Sequence, residues 1–540
     1  MRPPPGTPRR RFHPAVYRRR RVIALIVVLI VVNVGGGSLA VLGDDSDGAR
    51  SVRADDDRGD GGGGSDGDGA VAGDINAIAA ENALPGGPDW GLNGDVERIE
   101  GYADRTSVAR DEPFRLFVST TGTTFTVQAF RMGWYDGIGS RLVWSSEPVG
   151  GAEQAPPRRD PDTNMVDAPW DPSLTVTPDE SWAPGMYLLR LNSDDGGANF
   201  VPMTVRDDCS DADILFVSAV TTWQAYNAWG GADLDEGPAP LRRATVVSFD
   251  RPDEGDGTGH FLGGEYELVQ QLESQGLDVA YVTNIDVHAR PELTQNHRVV
   301  ISLAHDEYYS PEMRQSLEAA RDAGVNLLFL GANAVFRRIR LEESSLGPHR
   351  LEVNFRRAEL DPLDGVDPAQ VTTNWRASPD PRPESALIGN YYECNPVEAD
   401  MVIVRADAWM FDGTGLTDGA LLPGLVGNEY DRVTPEAPTP ANIEVLAHSP
   451  VTCGDLESHA DVTYYTADSG AGVFATGTLW WERQLGPLCP TDETPTRPEC
   501  QVRLITQNIV DVVAAGPGGE THPSQPNLED LGIGPLEQPT

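Results

Sequence analysis

Short runs that alternate apolar and polar residues dominate positions 95–206. Runs 114–118, 125–130, 186–191 and 200–205 have this pattern, and Gly, Asp and Pro separate them. No helical periodicity lasts ten residues in this part of the chain. The pattern is typical of short antiparallel strands, so we predict an N-terminal β-sandwich-like domain over residues 76–206.

The pattern changes near position 212. Continuous apolar runs at 214–217, 299–304 and 325–330 alternate with segments of helical periodicity. One such helix ends at Gly276, and a second begins with Ser310 and Pro311, which suit a helix cap and a first turn. Buried strands that alternate with helices predict a doubly wound parallel sheet, so the fold class is α/β plus β.

The rest of the body has a weaker pattern. Strand-like pieces at 401–404, 443–446 and 473–476 stand among long loops, and 504–513 has the spacing of a last helix. We therefore assign residues 207–515 to one α/β domain with β-rich insertions. The Pro- and Gly-rich residues 516–540 are predicted to be a flexible tail.

The N-terminal 75 residues have a different composition. Eight arginines and no acidic residue occur in the first 43 positions, and residues 22–43 carry no charge. As a helix those 22 residues would span roughly 33 Å, enough for a bilayer core. We predict a cytoplasmic basic head at 1–21, and at 22–43 a single-pass anchor or a signal segment cleaved near Ala40. The body would then be extracytoplasmic, or secreted, after a disordered Asp/Gly linker at 44–75.

Charge and cysteine content narrow the function classes. The formal net charge is −42 and no lysine is present, so all 41 basic residues are arginine. Such acidity excludes a general nucleic-acid binder, because a polyanion would be repelled.

Among the five cysteines, Cys489 with Cys500 and Cys394 with Cys453 are the predicted disulfides, which leaves Cys209 unpaired in this prediction.

Polar residues follow three of the predicted parallel strands. In open parallel sheets, ligands bind at the carboxyl ends of the strands. The three loops after those strands should therefore meet at one edge, and they offer Tyr226, His305, Asp306, Glu307 and Asn333.

The residue types at this edge suit a metal better than covalent catalysis. No cysteine or serine stands before Ser310 in the central loop, and the chain has neither GxSxG nor HExxH. Phenol and carboxylate oxygens favour a hard cation such as Fe(III). Simpler roles stay open: the His-Asp-Glu segment could cap a helix and pair with arginine, and Tyr226 could be a core aromatic.

Four segments resemble a known family. Residues 130–137 (FRMGWYDG), 223–231 (WQAYNAWGG), 305–308 (HDEY) and 331–333 (GAN) look like motifs of N,N-dimethylformamidase large (beta) subunit-like proteins, in the same order. The resemblance covers roughly residues 95–515. The two middle motifs are the more specific ones.

The resemblance implies an amidotransferase-like (flavodoxin-like) α/β domain and one mononuclear iron per chain. It implies iron ligands at Tyr226, Glu307 and an upstream tyrosine, for which Tyr187 is the best match. It also implies that His305 and Asn333 orient the substrate and that Glu429 is a candidate base. The implied reaction is metal-assisted hydrolysis of a small amide.

Three functions stay open from the sequence. The first is an iron-dependent amidohydrolase that acts on a non-peptide C–N bond. The second is a non-catalytic surface module that binds a glycan or peptide on the same fold. The third is a metal enzyme with other chemistry, such as an oxidation. The sequence gives no sign of the small subunit that such formamidases use, and it does not reveal a homo-oligomer or the substrate.

Overall fold

Residues 76–258, 260–485, 489 and 494–534 are described by the computed structural model. The predicted basic head, the segment 22–43 and the Asp/Gly linker at 44–75 lie outside the described residues. The described residues form one compact unit. The fold is mixed α/β and rich in strands, with several sheets.

Within the described residues, no helix is long and apolar enough to cross a bilayer. The longest of those helices, Pro498–Ala515, would span about 27 Å, but it carries Glu499, Arg503 and Asp511 and buries one face in the core. This finding contradicts the predicted single-pass membrane localisation.

Two larger sheets and the two-stranded sheet β7-β8 make up residues 99–206. One larger sheet has the order β1-β3-β9, and the other has the order β2-β11-β10-β4-β5 with β6 beside β4. Their inward side chains share a core that includes Phe114, Val127 and Leu189. The strands are β1 (Ile99–Ala103), β2 (Ser107–Ala109), β3 (Phe114–Thr120), β4 (Thr124–Met132), β5 (Ser140–Ser145), β6 (Val149–Gly150), β7 (Arg158–Arg159), β8 (Val166–Asp167), β9 (Leu174–Val176), β10 (Gly185–Ser193) and β11 (Ala198–Arg206).

A seven-stranded sheet forms the second region, in the order β14-β12-β15-β17-β25-β24-β23. The first five strands are parallel, and β24 and β23 continue the sheet in antiparallel fashion. The sheet strands are β12 (Ile214–Ser218), β14 (Val279–Thr283), β15 (Val299–Ala304), β17 (Asn326–Gly331), β23 (Glu444–Cys453), β24 (Leu456–Thr466) and β25 (Gly472–Ala475). Smaller sheets use β13 (Val246–Ser248), β16 (Tyr308–Tyr309), β18 (Arg337–Arg338), β19 (Arg340–Ser344), β20 (Gly347–Val353), β21 (Tyr391–Val402) and β22 (Leu421–Arg432).

Helices pack on both faces of the parallel strands. Alternate residues of β12 enter different cores: Phe216 joins the cluster that contains α3 and α7, and Val217 joins the one that contains α5. This alternation follows from the two-residue period of a strand. The helices are α1 (Ala77–Asn82), α2 (Val220–Ala225), α3 (Tyr266–Ser274), α4 (Asn284–Ala289), α5 (Pro311–Asp322), α6 (Ser385–Ile388), α7 (Pro498–Ala515) and α8 (Gly518–Thr521).

The predicted end of α3 at Gly276 and the predicted start of α5 at Ser310 are confirmed. The Ser310 hydroxyl accepts the Met313 backbone N–H at 3.2 Å and so caps α5. Gly276 and Gly324 follow α3 and α5 with φ of +70° and +96°. Glycine adopts this left-handed conformation without the steric penalty that a Cβ brings, and so it ends both helices.

The two regions share a hydrophobic core and a buried ion pair. The outer faces of β4 and β10 contribute Phe130 and Leu188 to the same cluster as Phe216. Arg131 Nη2 lies 2.7 Å from Glu273 Oε1, and both side chains are fully buried. Arg131 belongs to the FRMGWYDG motif, so that motif links the two regions and lies away from the strand ends described below.

The described part of the predicted flexible tail is packed against the sheet. The Asn527 side chain accepts the Val445 N–H and donates to the Val445 carbonyl, at 2.9 and 2.8 Å. Leu528, Leu531 and Ile533 contact the core on the same face. The flexible-tail prediction is therefore wrong for residues 516–534, because a few specific polar and apolar contacts outweigh the Pro- and Gly-rich composition. Residues 535–540 lie outside the described residues.

Both predicted disulfides are confirmed. Cys394 bonds to Cys453 and Cys489 bonds to Cys500, and Cys209 is free and exposed. The first bond ties β21 to the end of β23, across 59 residues of sequence.

We expect the double variant Cys394→Ser/Cys453→Ser to lose about 2–4 kcal/mol of unfolding free energy, because the bond restricts a long loop of the unfolded chain. Chemical denaturation without reductant measures this. Cys209→Ser is the matched control and should unfold like the parent. Equal midpoints for the double variant and the parent would contradict the expectation.

Candidate functional site

The candidate site lies where three neighbouring parallel strands end. β12, β15 and β17 are adjacent in the sheet, and the loops after them carry Tyr226, His305 and Asn333. The prediction that these loops meet at one edge is confirmed. Helix α2 clamps the central loop, because Thr222 Oγ1 accepts the backbone N–H of Glu307 at 2.9 Å.

The carboxylate of Glu307 is the centre of the site. Tyr226 Oη donates to Glu307 Oε2 at 2.5 Å, and His305 Nε2 lies 3.3 Å from the same oxygen. The rings of Tyr226 and His305 stack with centroids 5.3 Å apart. Three side chains that are distant in sequence thus place an oxygen-rich group at the strand ends.

Arg337 supplies the compensating charge. Its Nε donates to Glu307 Oε1 at 3.0 Å, and its guanidinium also donates to the Asn374 amide oxygen. The short parallel pairing of β16 with β18 sets Tyr308 opposite Arg337 and so fixes this arginine beside the carboxylate. Because Arg337 holds Oε1, the other oxygen of Glu307 is the one that faces Tyr226 and His305.

The electrostatics follow from burial and these neighbours. Burial acts to raise the pKa of Glu307, but the contact with His305 and the charge of Arg337 outweigh it and lower that pKa. Burial also opposes protonation of His305, yet Glu429 and Glu307 raise its pKa. Burial and then the charge of Glu307 raise the pKa of Tyr226. A charged carboxylate therefore stands beside a neutral phenol and a protonated imidazole.

Glu429 reaches the site from the β21–β22 ribbon. Its Oε2 lies 3.4 Å from His305 Nε2, and its Oε1 accepts the Asn395 side-chain amide at 2.5 Å. The same amide nitrogen lies 3.0 Å from Tyr392 Oη. His305 Nε2 and Glu429 Oε2 are both buried and face each other at ion-pair distance, but neither makes a well-aligned hydrogen bond. A bound ion, water or substrate would be directed to these two atoms.

Asn333 lies in the loop after β17. Its backbone N–H donates to Asp431 Oδ1 at 2.8 Å, and its own side-chain oxygen is buried without a hydrogen-bond partner. Its φ of +57° is in the left-handed region. The backbone just after it binds the His-Asp-Glu loop, since Val335 and Phe336 donate to the carbonyls of Asp306 and Glu307.

Tyr187 makes no described contact with the residues of this site. It lies in β10, its ring stacks on Trp182, and its hydroxyl donates to the Ala183 carbonyl at 2.8 Å. It is fully buried in the core between the two N-terminal sheets. No described contact joins Tyr187 to Tyr226 or Glu307, so the structure brings together two of the three ligands that the resemblance implied.

Four polar residues of the site were missed by the sequence analysis. Arg337 follows Asn333 by only four positions, so its place in the same loop was a usable signal. Asn374, Tyr392 and Asn395 had no such signal, because they come from insertions whose pattern says nothing about which strand end they reach.

A buried carboxyl shapes the turn that leads to Tyr226. Glu265 Oε1 accepts the Ala219 N–H at 3.0 Å, and Glu265 Oε2 accepts the Ser218 hydroxyl at 2.7 Å. Burial, with a smaller contribution from Asp306, raises the pKa of Glu265 to about 8. This neutral carboxyl therefore fixes the β12–α2 connection at neutral pH.

The comparisons with known proteins agree with the motifs. The family model described as N,N-dimethylformamidase beta subunit-like, C-terminal, matches residues 126–495. No curated protein matches the chain. The matched range contains Tyr226, Glu307, His305, Asn333 and Glu429, and it confirms the resemblance.

The variant Glu265→Gln tests whether the Glu265 carboxyl is neutral where it holds the β12–α2 connection. The folded protein holds the Glu265 proton more tightly than the unfolded chain does, so the parent loses stability as pH rises from about 5 to about 8. Glutamine is neutral throughout, so the variant should gain more than about 1 kcal/mol relative to the parent over this range. Denaturant unfolding at pH 5, 6.5 and 8 measures the difference, and a constant difference would contradict it.

Proposed function

The chain belongs to the N,N-dimethylformamidase beta subunit-like family, and we propose that it is a metal-dependent hydrolase that cleaves the C–N bond of a small, non-peptide amide. The observation that carries this proposal is the convergence of Tyr226 and His305 on one oxygen of the buried Glu307 carboxylate. The arrangement lies at the edge of the parallel sheet where ligands of such folds bind.

The donor set fits a hard cation such as Fe(III). Tyr226 Oη and Glu307 Oε2 are 2.5 Å apart, and a phenol so close to a carboxylate can lose its proton when a cation binds between or beside them. We propose that these two residues hold the iron. Tyr187 does not fit, because its hydroxyl is committed to Ala183 inside the sandwich core.

Bound iron would polarise the amide carbonyl and make a water more acidic. Glu429 Oε2 is buried and lies 3.4 Å from His305 Nε2, so it is placed to accept a proton from the attacking water. The protonated His305, whose Nε2 lies between Glu429 and Glu307, would donate its own proton to the leaving nitrogen and then be reprotonated by Glu429. Water adds its oxygen to the carbonyl carbon, the C–N bond breaks, and a carboxylic acid and an amine leave.

Other residues hold these groups in place. Asn395 fixes one oxygen of Glu429 and thereby directs the other toward His305. Arg337 keeps Glu307 charged although it is buried. The unpartnered side-chain oxygen of Asn333 would accept a polar hydrogen of the substrate or of a bound water. The His305 side chain is 16% exposed, so the site lies close to the protein surface.

Metal content is the first test of the ligands. In the full chain expressed with iron supplied, elemental analysis should find near-stoichiometric iron, and Tyr226→Phe and Glu307→Gln should both lose it because each removes a donor atom. Tyr187→Phe is the matched control and should retain iron. Loss of iron in Tyr187→Phe alone would contradict this ligand set. A parent without iron would favour a non-catalytic binding module.

Kinetics test the proton carriers. With a panel of small amides and amine release as the readout, Glu429→Gln should lower kcat by about 10²–10⁴-fold, because a general base is lost. Iron content and KM should change little, since the side chain keeps its shape and its contact with Asn395. A variant with parental kcat would show that Glu429 is not the base.

A further inference from the structure

A second cluster of metal-binding side chains lies on the antiparallel pair β23–β24. His448 stands directly opposite Asp461, and His459 is two residues from Asp461 on the same strand. Because side chains two apart share a face of a strand, all three point to the same side of the pair. One donor atom from each lies within 4.8 Å of the other two.

The atoms of this cluster are directed at one another. His448 Nδ1 lies 2.7 Å from Asp461 Oδ1, and His459 Nε2 lies 3.3 Å from Asp461 Oδ2. The two imidazole rings are 4.3 Å apart. His459 Nε2 is buried, and it makes no hydrogen bond although Asp461 Oδ2 is only 3.3 Å away. This ring nitrogen is therefore free to bind a metal ion through its lone pair when it is not protonated.

The surroundings already support the carboxylate. Asp461 is fully buried, and its Oδ2 accepts the Val433 backbone N–H at 2.7 Å. Such outer contacts orient a ligand before a metal arrives. The nearby Arg432 guanidinium is paired with Glu393, with its Nε 2.5 Å from Glu393 Oε1, so the charge of Arg432 is compensated. Each histidine side chain is 24% exposed, which gives an ion access from solvent.

We propose that His448, His459 and Asp461 bind a divalent transition-metal ion of the zinc type. Two imidazoles and one carboxylate, with water as a fourth ligand, are a common donor set for such ions. Tetrahedral ligands at about 2.0–2.2 Å from zinc lie roughly 3.3–3.6 Å apart, so small rotations of the two partly exposed rings would complete the set. This site shares no residue with the Tyr226–Glu307 site and does not rest on the proposed function.

The ion would join two strands and, through Asp461, the end of a third. His448 is on β23 and His459 and Asp461 are on β24, while the Asp461–Val433 hydrogen bond reaches the residue after β22. β22 also carries Glu429. A metal here would therefore stabilise the end of the ribbon that brings Glu429 to the strand-end site.

Zinc titration of the full chain tests this site. After treatment with a chelator, calorimetric titration with Zn²⁺ should show that His459→Gln and Asp461→Asn each bind one equivalent fewer than the parent. His448→Gln should weaken that equivalent by at least about tenfold. Far-UV circular dichroism confirms that each variant is folded. Bound Co²⁺ should give visible absorption bands in the parent that are absent from His459→Gln.

Two control variants separate this site from others. Glu307→Gln should keep the zinc equivalent, and so should His349→Gln, which removes one ring of the unrelated His288–His349 contact. Zinc that persists in His459→Gln but disappears from Glu307→Gln or His349→Gln would overturn the proposal. A parent that binds no zinc at micromolar concentration would overturn it as well, whatever the iron content of the protein.

Discussion

The negative charge of the buried Glu307 carboxylate needs partners that replace the lost water, and the side chains that supply them define the site. Desolvation of a charged group costs several kcal/mol unless partners replace the lost water. Tyr226, His305 and Arg337 supply those partners from the ends of three different structural segments. The connections after β12, β15 and β17 must therefore hold their positions together, and displacement of any one would leave the charge exposed to an apolar interior.

The β21–β22 ribbon brings further polar side chains to this site. It delivers Glu429 and Asn395, and the Cys394–Cys453 bond anchors it to β23. β23 and β24 in turn extend the parallel sheet in antiparallel fashion. The ribbon is a separate two-stranded sheet, but it is thus anchored to the sheet whose strand β15 leads to Glu307, so Glu429 is held within ångströms of His305.

The family motifs divide into two physical roles. Arg131, in the first motif, pairs with Glu273 in the interior and joins the N-terminal sheets to the α/β region. Tyr226 and Glu307, in the two middle motifs, meet at the strand ends. Tyr187, chosen from a short motif, packs on Trp182 in the sandwich core instead. At Tyr187 the resemblance therefore implied a metal ligand where the structure has a core side chain.

The sequence by itself determined the elements whose cause is local. Alternation and capping residues predicted β15 and the bounds of α3 and α5, and the order of apolar strands and helices predicted that Tyr226, His305 and Asn333 share one sheet edge. The tertiary structure decided what depends on distant pairing: Asn395 and Glu429 meet across a bulged ribbon, Asn527 ties a polar tail to β23, and His448 faces Asp461 through strand register. The physical reason is that periodicity reports the face of an element that is buried, whereas register and long-range contacts decide which side chains that face meets.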